Sequence, residues 1–375
     1  MEKLSIVVVT YKRQQLLSVL FDSLLELTTP PWRIVLVDNE NSEETKAMTE
    51  EFNVHARKLW GPADIDELGG SDYLHYAPQE TNGGGSGGFS AGVKRAYELG
   101  TEWFWLMDDD VAVLPDSIDK LSKWTDRFDV IQGRRYDYDG GPFYWQYDFI
   151  PKVGFLNPFA PEKFNSEGYL IMNNVCFEGG MFRRRIVERI GIPDPRFFIY
   201  WDDAVYGYLA SKITTCVLVD EFVLRRTRDI QNWDIAGKRQ LNSTSDLNRY
   251  HIMRNRGYIA QYFKEHGDYN PLAFGFGTFL TFSKEAVRIA IVDRKNAKSG
   301  IKQLRRGWED ARKLMDDQNW QPMPPLSDAP SSDASSADVS LGDAATTRAP
   351  SGDVSPGDVP TYDASSGGAP SGDAS

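Results

Sequence analysis

Trp103-Phe104-Trp105-Leu106-Met107-Asp108-Asp109-Asp110 is the stretch on which the fold turns: five apolar residues followed by three adjacent carboxylates. A short unbroken apolar run suits a strand buried on both faces, as in a parallel sheet, and α/β proteins place their ligands at the carboxyl ends of such strands. Alternate side chains of an extended chain point to opposite faces, so Asp108 and Asp110 share one side and Asp109 takes the other. Two carboxylates side by side repel unless a proton or cation intervenes. Their natural use is to hold Mg2+ or Mn2+ through oxygen ligands while the metal neutralises a substrate diphosphate. The competing reading is an acidic start to a helix that follows Pro115.

Upstream, Leu4-Ser5-Ile6-Val7-Val8-Val9-Thr10 and Arg33-Ile34-Val35-Leu36-Val37-Asp38 are two further buried-strand runs, with helix-period residues 14–27 between them. This is a βαβ unit, and the expected class is α/β with a mostly parallel sheet flanked by helices. Asn82-Gly83-Gly84-Gly85-Ser86-Gly87-Gly88-Phe89 reads as a glycine-rich loop feeding a helix over residues 92–99. Such a loop brings backbone amides close to phosphate. It matches neither the P-loop nor the dinucleotide fingerprint. It spells a serine-hydrolase elbow, but no strand runs directly into it and no histidine is placed to serve it.

Beyond residue 120 the alternation weakens and aromatics dominate, as in Pro142-Phe143-Tyr144-Trp145-Gln146-Tyr147. Arg196-Phe197-Phe198-Ile199-Tyr200 reads as an aromatic strand that leads into Trp201-Asp202-Asp203. An acidic pair among apolar neighbours is what a general base requires, because desolvation raises a carboxyl toward the range where it can take a proton from a hydroxyl. The pair also suits the start of a helix over residues 204–212. The four histidines, His55, His75, His251 and His266, show no metal-ligand spacing on one element.

The chain has 375 residues, 41% of them hydrophobic and 13% aromatic, enough for a sizeable core. Its two cysteines, Cys176 and Cys216, make no disulfide framework; the opening residues read as a strand rather than a signal peptide, and no apolar run of spanning length occurs, so neither a signal peptide nor a membrane span is expected. A reducing cytoplasm is the expected compartment. Of the net charge of −12, residues 325–375 carry −7, with eight Asp in a five-residue register and one Arg, which leaves −5 for the body. A basic nucleic-acid-binding surface is excluded as the main feature. Little in that tail can be buried, so disorder is expected for residues 321–375. Residues 266–320 read as helical and basic, with an apolar stretch over 272–292, and suit either an anionic membrane surface or packing on the body with a wet basic face.

Taken together, the chain resembles inverting family 2 glycosyltransferases of the GT-A fold over residues 5–263. Val7-Val8-Val9-Thr10-Tyr11-Lys12-Arg13 is similar to the family's opening strand and nucleotide-contacting turn, and Val37-Asp38-Asn39 to its second strand. The resemblance implies a UDP-sugar donor bound through Thr10, Tyr11, Arg13, Asp38, Asn82, Gly83, Gly84 and Asp109, with a divalent metal on Asp108 and Asp110. It further implies Asp203 as catalytic base, with Glu178, Gly179, Gly180, Trp201 and Asp202 on the acceptor side. The branch most similar is that of the galactofuranosyltransferases, which use UDP-galactofuranose to extend bacterial surface glycans; the rhamnosyltransferases, using dTDP-rhamnose, are close relatives. That branch adds a metal-binding His some two dozen residues after the base, where this chain reads Phe222-Val223-Leu224-Arg225-Arg226-Thr227-Arg228-Asp229. His251, water and diphosphate alone, or the charge of Arg225 or Arg226 are the replacements.

The expected organisation is a nucleotide-sugar half over 1–120, an acceptor-binding half over 121–265, the basic helical region over 266–320 and the tail. The expected acceptor is a growing glycan, carried on a polyprenyl diphosphate at the inner membrane face. Two other classes compete: a non-catalytic glycan- or nucleotide-sugar-binding subunit, and a nucleotidyltransferase.

Overall fold

The computed structural model describes residues 2–143, 147–157, 160, 162–229, 233–235, 238–241 and 244–326. The repeat tail beyond residue 326, with its expected disorder, lies outside the described residues, as do Tyr144, Trp145 and Gln146 of the aromatic segment.

In chain order, β1 (Leu4–Thr10), α1 (Gln14–Leu25), β2 (Arg33–Asp38), α2 (Glu43–Trp60) and β3 (Leu74–Pro78) open the domain. Next come α3 (Gly84–Glu98), β4 (Trp103–Asp108), β5 (Val111–Val113), α4 (Ser117–Ser122) and β6 (Val130–Tyr136). A small hairpin, β7 (Phe149–Ile150) with β8 (Phe155–Leu156), precedes β9 (Tyr169–Met172), β10 (Gly180–Arg183), α5 (Arg184–Ile190) and α6 (Asp202–Ser211). Then β11 (Cys216–Arg226) returns to the sheet, and β12 (Trp233–Ile235) pairs with β13 (Lys238–Leu241). Four helices follow: α7 (Asp246–Arg254), α8 (Arg256–Glu265), α9 (Pro271–Ile291) and α10 (Ala297–Met315).

Nine strands form one sheet in the order β3-β2-β1-β4-β10-β6-β11-β5, with β9 also on β11. Strands β3, β2, β1 and β4 are mutually parallel, whereas β10 runs antiparallel between β4 and β6. Every residue of β1 and β2 is buried because both faces are covered. Ile6 and Val8 pack with Leu17, Leu20 and Phe52 from α1 and α2, while Val7 and Val9 pack with Phe89, Val93 and Tyr206 from α3 and α6. An unbroken apolar run is therefore the pattern these strands need.

Two sequence expectations are corrected. The glycine-rich segment is not a loop leading to residue 92: α3 begins at Gly84 and the glycines form its first two turns. Helical glycine is unfavourable by about 1 kcal/mol relative to alanine, but a Cβ on Gly88 would lie 2.4 Å from a methyl of Val9, and one on Gly92 the same distance from Val7. The glycines let α3 press onto β1. The aromatic run 196–200 is not a strand either. A 3-10 turn, Pro195–Phe197, is followed by Phe198, Tyr200 and Trp201 at φ of 66°, 68° and 72°.

At the carboxyl end of the domain, α10 buries Gly300, Leu304, Gly307 and Ala311, and Gly307 lies against the Tyr250 carbonyl of α7. Of the two readings for this region, α10 follows the packed one. Among the described residues no helix is long and apolar enough to cross a membrane.

Candidate active site

The carboxyl end of β4 meets the start of α6 at one cavity of about 270 Å³, lined by Arg13, Asp108, Asp110, Cys176, Glu178, Asp202, Asp203 and Arg226, with Gly85 and Phe89 from α3. β4 ends at Asp108, and in the turn after it Asp109 points away and is buried while Asp108 and Asp110 line the cavity. Asp109 accepts from the Thr10 hydroxyl at 2.6 Å and from Arg13 at 2.9 Å, and Arg13 reaches Asp110 at 3.4 Å. Thr10 and Arg13, from the end of β1 and the turn after it, thus brace the triple-Asp segment.

Desolvation, then the neighbouring Asp110 and Glu178, push the Asp108 carboxyl well above its ordinary range. Arg13 opposes this shift more weakly than burial and the neighbouring acids drive it. Hard oxygen donors in such a cluster suit a divalent cation such as Mg2+, which takes one or two carboxylates and completes its shell with water and substrate phosphate. Among the described residues no group of three or more His, Cys, Asp or Glu is arranged to hold an ion.

On the other wall, Asp202 and Asp203 open α6, where a helix start favours negative charge. The Asp203 carboxylate accepts from the Ala204 amide at 2.7 Å. Desolvation and the adjacent Asp202 push it up to about 7. Desolvation also raises Asp202, opposed by the Ser86 hydroxyl of α3.

Glu178 is held between two arginines, Arg135 at 3.1 Å and Arg226 at 3.3 Å. The Gly179 amide donates to the Leu106 carbonyl of β4 at 2.7 Å, and Gly180 begins β10; this glycine pair tethers Glu178 to the central strand. Arg226 lines the cavity whereas Arg225 is exposed, so of these two neighbours it is Arg226 that faces the acidic cluster.

Other expected site residues lie elsewhere. Asp38 is fully buried, and its oxygens accept from the Glu40 and Ser42 amides and the Tyr76 hydroxyl. Tyr11 is exposed beside Lys12. Asn82 accepts from the Gly84 amide ahead of α3, and it and Gly83 stay outside the cavity lining; Gly85 takes that place. Trp201 donates its indole N–H to the Ile252 carbonyl at 3.1 Å. His251 is not part of the lining: its ring stacks on Phe198 at 4.9 Å, and desolvation with Arg254 nearby lowers it to about 4.

Sequence reading missed Arg135 and Cys176. Arg135 is buried, donates to the Cys176 sulfur at 3.5 Å and pairs with Glu178. Nothing local marks either residue, since the contacts join β6 to a segment some forty residues later.

Fold and cavity define an α/β domain of the GT-A type, with acidic residues gathered at the carboxyl edge of its parallel strands. The glycosyl transferase family 2 model matches residues 5–191, and the chain thus carries a family 2 glycosyltransferase domain. It is 25% identical over 273 residues to a galactofuranosyltransferase of Mycolicibacterium smegmatis, covering 68% of this chain and 81% of that one. An uncharacterized glycosyltransferase of Bacillus subtilis is 24% identical over 249 residues, 64% of this chain and 80% of its own length. Among solved structures, S. aureus TarS (residues 1–349) matches with a TM-score of 0.47 at 13% identity, covering 83% of this chain and 91% of that one.

Proposed function

We propose that the protein is an inverting glycosyltransferase that moves galactofuranose from UDP-galactofuranose onto a growing glycan. The observation that carries this reading is the cavity that brings Asp108 and Asp110 from one wall together with Asp202 and Asp203 from another. Asp203 takes the proton of an acceptor hydroxyl as that oxygen bonds to the anomeric carbon. The bond from that carbon to the diphosphate oxygen breaks, and UDP leaves with the electron pair. One displacement inverts the anomeric centre. A carboxyl near 7 matches a base that must be ionised at neutral pH yet still accept a proton.

Asp108 and Asp110 are the residues that would hold Mg2+ or Mn2+, whose charge stabilises the departing diphosphate when bound. Arg13 and Arg226 face the same space and add fixed positive charge. Glu178, locked by Arg135 and Arg226, shapes the acceptor side. The galactofuranosyltransferase of Mycolicibacterium smegmatis to which the chain is similar supports the sugar; dTDP-rhamnose is the competing donor.

The acceptor reading is a lipid-linked glycan met at a membrane surface. In its support, α9 exposes Leu272, Phe276, Phe279, Leu280, Val287 and Ile291, and Arg294, Lys295 and Lys298, all exposed, follow directly. An apolar helix face edged with basic residues suits anionic lipid.

The anomeric configuration of the product tests the mechanism. NMR of the transferred sugar should show the configuration opposite to that of the donor; a retained anomer would overturn single displacement.

A further inference from the structure

We propose that Asn255, with Arg254 beside it, is a positioning residue that fixes Asp203 by clamping the backbone turn in front of it. The inference rests on the reading of Asp203 as base. The turn needs a clamp because Phe198, Tyr200 and Trp201, none of them glycine, all sit in the left-handed region. Side chains rarely adopt that conformation, and it persists only where the surroundings over-determine it. Trp201 is the residue from which α6 starts, so the turn sets where Asp202 and Asp203 enter the cavity.

Asn255 lies at the α7–α8 junction, more than fifty residues along the chain, fully buried and outside the cavity lining. Its amide nitrogen is 3.0 Å from the Phe197 carbonyl, 2.8 Å from that of Ile199 and 2.9 Å from that of Tyr200. Three carbonyls thus converge on one NH2 group. Its oxygen accepts from Arg254 at 2.8 Å and 2.6 Å. Arg254 in turn donates to the Arg196 and Phe197 carbonyls, each at 2.7 Å. Two adjacent side chains therefore engage four of the five carbonyls from 196 to 200.

The fifth, of Phe198, accepts from the Ser86 amide of α3 at 3.1 Å. A Cβ on Gly84 would lie 2.1 Å from that same oxygen, so α3 and α7 grip the turn from two sides. His251 joins the grip through its stacking on Phe198. The segment considered from sequence as a source of a metal-binding histidine braces the base instead. An amide is required at position 255, because an aspartate of the same shape would set negative oxygens against carbonyl oxygens.

The test compares Asn255→Asp, Asn255→Ser and Asn255→Ala with wild type and with Asp203→Asn. The readouts are kcat, KM for the donor, the pH profile of kcat/KM and the melting temperature. Positioning predicts that kcat falls 10- to 100-fold in Asn255→Ala and Asn255→Asp while donor KM changes less than threefold. The acidic limb of the profile moves below 7 as Asp203 leaves its desolvated place, and Asn255→Ser, which keeps one donor, retains more kcat than Asn255→Ala. A lowered melting temperature with kcat and the acidic limb unchanged would overturn the proposal and leave Asn255 a purely structural residue. Should Asn255→Ala fail to fold, Asn255→Ser carries the same readouts. If Asp203→Asn itself stays active, it is the base reading that fails; if Asp203→Asn is inactive while every Asn255 variant behaves as wild type, only the clamp fails.

Discussion

Replacing Asp203 by asparagine should make the protein slower and more stable at once. In the folded chain this carboxyl titrates near 7 against an ordinary 3.8. Between those two values the folded state holds a proton that the unfolded chain has lost, so stability falls as pH rises from about 4 to about 7 and stays low above it. A displacement of that size, at about 1.4 kcal/mol per pH unit, puts the cost of the ionised group at about 4 kcal/mol above pH 7. The asparagine side chain would keep an acceptor for the Ala204 amide and remove the charge. Denaturant unfolding at pH 8 should therefore show Asp203→Asn more stable than wild type by a few kcal/mol, with the difference vanishing near pH 4. In the same buffers wild-type kcat/KM should rise about tenfold from pH 6 to pH 8 as the base ionises. The variant should lose about 10² to 10⁴ in rate at pH 8, the usual worth of a general base. A variant less stable than wild type at pH 8, or one keeping more than about a tenth of the rate, would refute the reasoning.

Two more perturbations probe the other parts of the account. EDTA and Asp110→Ala should each abolish turnover, with added Mn2+ or Mg2+ restoring only the EDTA-treated wild type; activity surviving both would shift the diphosphate charge to Arg13 and Arg226. Phe276→Ser combined with Phe279→Ser should weaken co-sedimentation with vesicles containing anionic lipid about tenfold or more while leaving turnover on a soluble acceptor unchanged, because both side chains are more than half exposed and support no core. Partitioning unchanged by the pair, or a chain that self-associates through this face in light scattering, would reject the lipid contact.

The strands that organise the site were legible because each carries its own signature. Arg33–Asp38 and Leu4–Thr10 fold where their apolar runs place them, and β4 ends at Asp108, which sets the triple aspartate at its carboxyl edge. The pairing of that segment with Asp202 and Asp203 was legible only through resemblance, since they lie on different elements ninety residues apart.

What stayed hidden depends on contacts between distant segments. Glycines at 84–88 signal a loop by propensity, yet they open α3, where Gly88, and Gly92 a turn later, lie too close to Val9 and Val7 for a side chain. Phe197, Phe198 and Tyr200 signal a strand, yet the backbone there turns left-handed, with the Ile199 and Tyr200 carbonyls accepting from the amide of the distant Asn255. The Arg135–Glu178–Arg226 group joins three separate elements and leaves no mark on any one of them.

The most direct test of the central claim is donor turnover by the purified chain with Mg2+ or Mn2+ and a lipid-linked glycan acceptor. UDP-galactofuranose, UDP-galactopyranose, UDP-glucose and dTDP-rhamnose are compared by release of the nucleoside diphosphate. Release from UDP-galactofuranose alone is the predicted result. Release from dTDP-rhamnose alone would keep the chemistry and replace the sugar, and no release from any donor would contradict the claim that this cavity transfers a glycosyl group.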